Sequence, residues 1–177
     1  YRPGTDPVVG REAKRALGDG DDPGSQVVTS VKSHLDQDRP FKVLGEERPA
    51  HRVAADILNH LRVHAGFTHG IEATLSVPIT FTGAARRNLR KAAEGAGIHV
   101  TGFVHEPFAG IFGIQGEQIL QSLGEWRGRT VLVFDWGGGT LDVTIAKFEG
   151  DLIRQLANEG EPGRSGDHFD ETLMRYA

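Results

Sequence analysis

At 177 residues, with 25% charged residues, 38% hydrophobic residues and a formal net charge of -4, the chain has room for one compact domain or two small lobes and shows neither a disordered nor a collagen-like bias. A nucleic-acid surface would bring a basic excess, which is missing, and the absence of cysteine excludes a disulfide framework, a thiolate metal site and a cysteine nucleophile together, and fits a reducing compartment. No apolar run approaches the ~20 residues that cross a bilayer and no basic-then-apolar leader opens the chain, while Tyr1 in place of Met reads as the start of an internal piece of something longer.

Residues 1–50 are rich in breakers, with Gly18, Gly20, Pro23 and Gly24 among Asp19, Asp21 and Asp22, and read as loop and connection except for a short helix from Gly10 to Leu17. From Arg52 to Ala65 the residues Val53, Ala54, Ile57, Leu58, Leu61 and Ala65 recur at three and four, which predicts an amphipathic helix ended near Gly66. Ala73, Leu75 and Val77 alternate with polar neighbours over 72–77, a strand that Pro78 stops. Thr82 then caps a helix through Ala96, with Ala85, Leu89, Ala92, Ala93 and Ala96 inward and Gly97 at its end. A strand over 98–104 completes a βαβ unit, which implies parallel neighbours and a right-handed crossover. The stretch 108–123 is apolar at helical spacing despite Gly110, Gly113 and Gly116. The continuous run 130–134 predicts a strand covered on both faces, joined as a hairpin to an alternating strand over 141–148, with a third strand over 152–157.

Chemistry concentrates in Val133-Phe134-Asp135-Trp136-Gly137-Gly138-Gly139-Thr140-Leu141-Asp142. Three glycines between two strands allow positive φ and bring backbone N–H groups within reach of an anion, the makings of a phosphate cradle. Asp135 at a strand end can hold a divalent cation through water, and Thr140 adds a hydroxyl toward the phosphates. No Gly-Lys-Ser/Thr follows and a strand comes next, so this is not a Walker loop.

The run Asp135 to Asp142 resembles the second phosphate loop of the actin-like ATPases, and its surroundings resemble the seventy-kilodalton, DnaK-type heat-shock chaperones. Leu75-Ser76-Val77-Pro78-Ile79-Thr80-Phe81, with Arg86 and Ala92 beyond it, is similar to that family's strand, proline and helix segment. Val104-His105-Glu106-Pro107-Phe108-Ala109-Gly110 resembles its Asn-Glu-Pro segment, and Gly166-Asp167-His168-Phe169-Asp170 its Gly-Glu-Asp-Phe-Asp segment. Val9-Gly10-Arg11-Glu12-Ala13-Lys14 and Ser30-Val31-Lys32 fall where the family has Gly-x-x-Ala-Lys and its catalytic lysine.

The resemblance implies an α/β, actin-like, ribonuclease H-like architecture in partial form, with 1–123 in the first lobe, an outer subdomain reduced around 33–66, and 124–177 opening the second lobe. It implies ATP or ADP with Mg²⁺ as cofactors, bound by Gly137, Gly138, Gly139, Thr140 and Gly166. Lys32 would position the attacking water, Glu106 and Asp135 would meet the metal through its water shell, and Thr140 would join these three as a catalytic group. Pro78 and Arg86 match positions that couple nucleotide state to a peptide-binding domain. A cytoplasmic ATP hydrolase follows as the expected complete parent, working on unfolded client proteins with a J-domain co-chaperone and a nucleotide exchange factor. Nucleic acid and membrane are not expected partners. The family's first phosphate loop would precede Tyr1 and its adenosine segment would follow Ala177, so the piece alone is expected to be inactive.

Departures mark a divergent member: His105 stands where the family has Asn, Trp136 where it has a smaller aliphatic, and Arg164-Ser165 where it has an aliphatic and a Gly. Two other readings stand beside the chaperone: a filament-forming bacterial actin-like cell-shape protein, and a nucleotide-binding pseudo-enzyme serving as an interaction module. His60 and His64 have metal-ligand spacing, but Leu61 sits where a zinc protease needs Glu, so partly exposed packing at the margin of the apolar stripe is expected. Arg86, Arg87, Arg90 and Lys91 read as a solvated helix face.

Overall fold

The computed structural model describes residues 1–16, 26–113, 126–150, 152–162 and 165–176. They form two compact units, one of residues 1–74 and 81–102, the other of 75–80 and 103–177.

In the first unit, α1 (Arg11–Arg15) precedes a 3₁₀ turn (Val31–His34) and a hairpin of β1 (Phe41–Val43) and β2 (Glu46–Arg48). The breaker-rich sequence suggests only connection here, and the β1–β2 hairpin corrects that expectation. Its turn is made by Leu44 and Gly45, both at positive φ (51° and 89°), and a leucine in that region carries no turn signature. The amphipathic helix appears as α2 (Ala50–His64), its chain leaving through Gly66 at φ 86°. Its N-cap is Pro49, which has no side-chain acceptor. The missing oxygens come from Asp38, whose carboxylate accepts the His51 N–H at 2.9 Å and meets His51 Nδ1 at 2.7 Å.

β3 (Ile71–Val77), α3 (Gly83–Gly95) and β4 (Ile98–His105) follow, with β3 and β4 hydrogen-bonded neighbours in a two-stranded sheet. The expected cap is present: Thr82 Oγ1 accepts the Ala85 N–H at 3.2 Å, and Gly97 turns the chain at φ 73°. Ala50, Val53, Ala54 and Ala55 of α2 share a core with Ala85 and Ala92 of α3, joined by Val31 and Leu35. Small side chains let the two helix backbones approach, and a Cβ on Gly95 would already touch Ala55 at 3.6 Å. Each buried methyl here contributes roughly 0.8 kcal/mol.

In the second unit, residues 106–113 are helical (α4), and the rest of the helix expected to Leu123 lies outside the described residues. β5 (Thr130–Trp136), β6 (Thr140–Glu149) and β7 (Leu152–Pro162) form an antiparallel meander in the order β5-β6-β7. α5 (Gly166–Met174) closes the unit. The sheet's inner face packs Val131, Val133, Ala146, Phe148 and Ile153 against Ile111, Phe108 and Trp126. β5 is not covered on both faces as its apolar run suggested: Leu132, Phe134 and Trp136 are 63%, 59% and 56% exposed. A run of bulky residues cannot distinguish two covered faces from one, because the strand's alternation is set by what packs on it. At the end of β6, Glu149 pairs across the turn with Arg154 of β7 at 2.5 Å and with Lys147 of its own strand at 3.6 Å. The bond from Arg154 holds the Glu149 carboxyl below its usual range, although a pair this open to solvent has little stabilising effect.

Candidate functional site

The glycine segment forms the three-residue connection between β5 and β6, closed by Gly137 N–H donating to Thr140 O at 2.9 Å. None of Gly137, Gly138 and Gly139 has positive φ, which corrects the reason given for them from sequence. Their role is close approach. Gly166 N–H donates to Gly137 O and Asp167 N–H to Gly138 O, both at 2.9 Å, so the start of α5 is stitched to the loop backbone. A Cβ on Gly138 would lie 3.2 Å from Asp167 Oδ1, and one on Gly166 would lie 3.4 Å from Gly137 O. Trp136 and Phe169 reinforce the same junction edge to face, their ring centroids 6.3 Å apart. Gly138 and Gly139 remain exposed, and the space a Cβ on Gly139 would enter is open.

Below the loop, register places Asp135 of β5 directly opposite Asp142 of β6. Cross-strand partners share a face, so two carboxylates face inward side by side, Asp135 half-buried and Asp142 fully buried. Like charges in that relation repel unless a cation joins them. Asp142 closes the glycine motif in sequence, where the motif alone assigns it no role. Its signal was available: on β6 it shares the inward parity of Thr144, Ala146 and Phe148, and a carboxylate in such a row is out of place unless it serves a ligand or partner. Gly160 of β7 is paired with Asp142, and a Cβ there would come within 2.6 Å of both Asp142 Oδ1 and Thr80 Cγ2. The segment after Pro78 therefore meets the carboxylate-bearing sheet, and Pro78 and Pro107 are both fully buried.

The remaining predicted residues fall as follows. Glu106 begins α4 in the second unit, partly exposed. Lys32 lies exposed on the 3₁₀ turn of the first unit, with Nζ 5.9 Å from the centre of the Phe81 ring, a cation–π distance. Arg86 sits in the first turn of α3, its N–H donating to Thr82 O at 3.1 Å. Thus Asp135, Gly137, Gly138, Gly139, Thr140 and Gly166 gather in one unit around one loop, and Lys32 and Arg86 belong to the other unit.

The family model described as Hsp70 protein matches residues 9–177. The chain belongs to the Hsp70 family. Hsp70 proteins are ATP-binding heat-shock chaperones with an actin-like ATPase fold, acting with clients and co-chaperones, and this chain is correspondingly mixed α/β. The residues fit the ligand that membership implies. Asp135 and Asp142 supply hard oxygen donors suited to Mg²⁺, and an exposed glycine loop with open space beside it suits phosphate. Among the described residues no helix is long and apolar enough to cross a membrane.

Proposed function

We propose that this chain is part of the nucleotide-binding domain of a divergent Hsp70-type chaperone in which Mg-ATP binding and slow hydrolysis are coupled to protein folding. The observation that carries the reading is the opposed pair Asp135 and Asp142 beneath a glycine loop whose backbone is fixed by α5. Asp135 and Asp142, with Glu106, would hold Mg²⁺, directly or through water. Gly137, Gly138, Gly139, Thr140 and Gly166 would hold the phosphates. Bound Mg²⁺ would supply charge neutralisation on the phosphate oxygens. The protein's own contribution is positioning: stitching of the loop to α5 fixes its N–H groups before ligand arrives, so little ordering is left to binding. Lys32 would orient the attacking water as a point charge.

In this reading residues 1–123 belong to the first lobe of a ribonuclease H-like architecture and 124–177 open the second. Pro78 and Arg86 would transmit nucleotide state to a peptide-binding domain that takes unfolded clients, assisted by a J-domain co-chaperone and an exchange factor in the cytoplasm. His105, Trp136 and Arg164-Ser165 carry the divergence.

Single-turnover hydrolysis and calorimetry on the complete parent protein test the proposal. Lys32→Ala should leave Mg-ATP affinity within a few-fold and lower hydrolysis by roughly 10²-fold, the size of a lost transition-state charge contact. An unchanged rate removes Lys32 from the chemistry. Gly138→Val should weaken ATP and ADP alike by about tenfold or more, a loss of at least about 1.4 kcal/mol, because the new side chain begins 3.2 Å from Asp167 Oδ1 and branches toward the phosphate space. Equal affinity in that variant would mean an empty hairpin.

A further inference from the structure

The last two turns of α2 carry a feature that nucleotide chemistry does not use. His60 and His64 stand one turn apart on the helix, both exposed, with rings stacked at 5.8 Å between centroids and 6° between planes. The margin of the apolar stripe, where the sequence puts them partly exposed, is open surface here, flanked by Leu61 and Val63 at 55% exposure each. Neither imidazole hydrogen-bonds to another described residue, so their ring nitrogens are not committed to that part of the fold. The cation nearest in sequence is engaged elsewhere: Arg62 donates to Asn59 Oδ1, Ala96 O, Phe67 O and His69 O at 2.6–3.1 Å.

We propose that His60 and His64 form a two-imidazole site for a late first-row divalent cation, copper(II) ahead of nickel(II) and zinc(II). Residues four apart on a helix face are neighbours, this spacing is the one by which helical histidine pairs hold a metal, and ligation would turn the two exposed rings out of their parallel stack so that one nitrogen of each meets the cation. Imidazole favours copper, nickel and zinc over magnesium, and copper heads the affinity order. Among the described residues no group of three or more ligating side chains occurs, so the cation would complete its shell with water and bind more weakly than a closed structural site. The softer nitrogen pair in the first unit and the hard carboxylate pair in the second would thereby select different metals from one solution.

Titration of the full chain with copper(II), and separately nickel(II), in excess Mg²⁺ tests this by calorimetry. The expected result is saturable one-to-one binding, with affinity at least about tenfold lower in His60→Asn and in His64→Asn, since loss of a ligand should cost no less than loss of a supporting contact. His99→Asn should bind as the unsubstituted chain does. Nickel(II) should also raise the melting temperature of the unsubstituted chain and not of either variant, because a ligand held by the native helix stabilises it. Affinity unchanged in both variants, or no saturable binding while circular dichroism shows α2 intact, overturns the proposal.

Discussion

Gly160→Val should cost about 3 kcal/mol of stability, the upper part of the range for forcing extra atoms into a packed site. Even the first added carbon would sit 2.6 Å from Asp142 Oδ1 and from Thr80 Cγ2, and a fully buried Asp142 has no free direction in which to retreat. Urea unfolding followed through Trp126 and Trp136 measures the loss. Gly160→Ala should fall between the two, and adding Thr80→Ser, which deletes the opposing methyl, should return part of the deficit. A cost below about 0.5 kcal/mol, the level of an unremarkable surface change, would contradict the close packing of Thr80, Asp142 and Gly160.

Asp142→Asn should lower hydrolysis by the complete parent about 10³-fold and raise the Mg²⁺ concentration needed for tight nucleotide binding. The change removes one of the two opposed charges while keeping the side-chain volume, and a metal-mediated charge contact is worth several kcal/mol in phosphoryl transfer. Asp135→Asn should act in the same direction but less strongly, because its partial exposure lets water replace the lost oxygen. Identical Mg²⁺ dependence in the Asp142 variant would separate the carboxylate pair from the metal.

The elements most readable in the sequence were those whose signals are local. Thr82 and Gly97 bracket α3 because a hydroxyl acceptor and a residue free to take positive φ are needed at those two places. The meander was readable for the same reason, through alternation in β6 and the glycine segment before it. Harder to see were features set by partners distant in the chain. The Leu44–Gly45 turn is imposed on a leucine by the β1–β2 pairing, and the open face of β5 depends on what packs there. The glycine loop stands where the motif puts it, but for a different reason. Its three residues do not need left-handed φ; Gly138 is required by the nearness of Asp167, twenty-nine positions on, which no local rule reports. Asp142 has no distinguishing mark in the motif as a string, because its meaning lies in strand register against Asp135.

Asp38 caps α2 from outside the helix, and this has a consequence for how the first unit holds together in time. A helix that begins at a proline with no acceptor of its own cannot finish its first turn by itself, so the turn around Asp38 and the start of α2 open and close as one cooperative segment. Protection of the amide at His51 against exchange is then governed by fluctuation of a loop thirteen residues earlier, and a perturbation of that loop is felt as fraying of a helix it precedes.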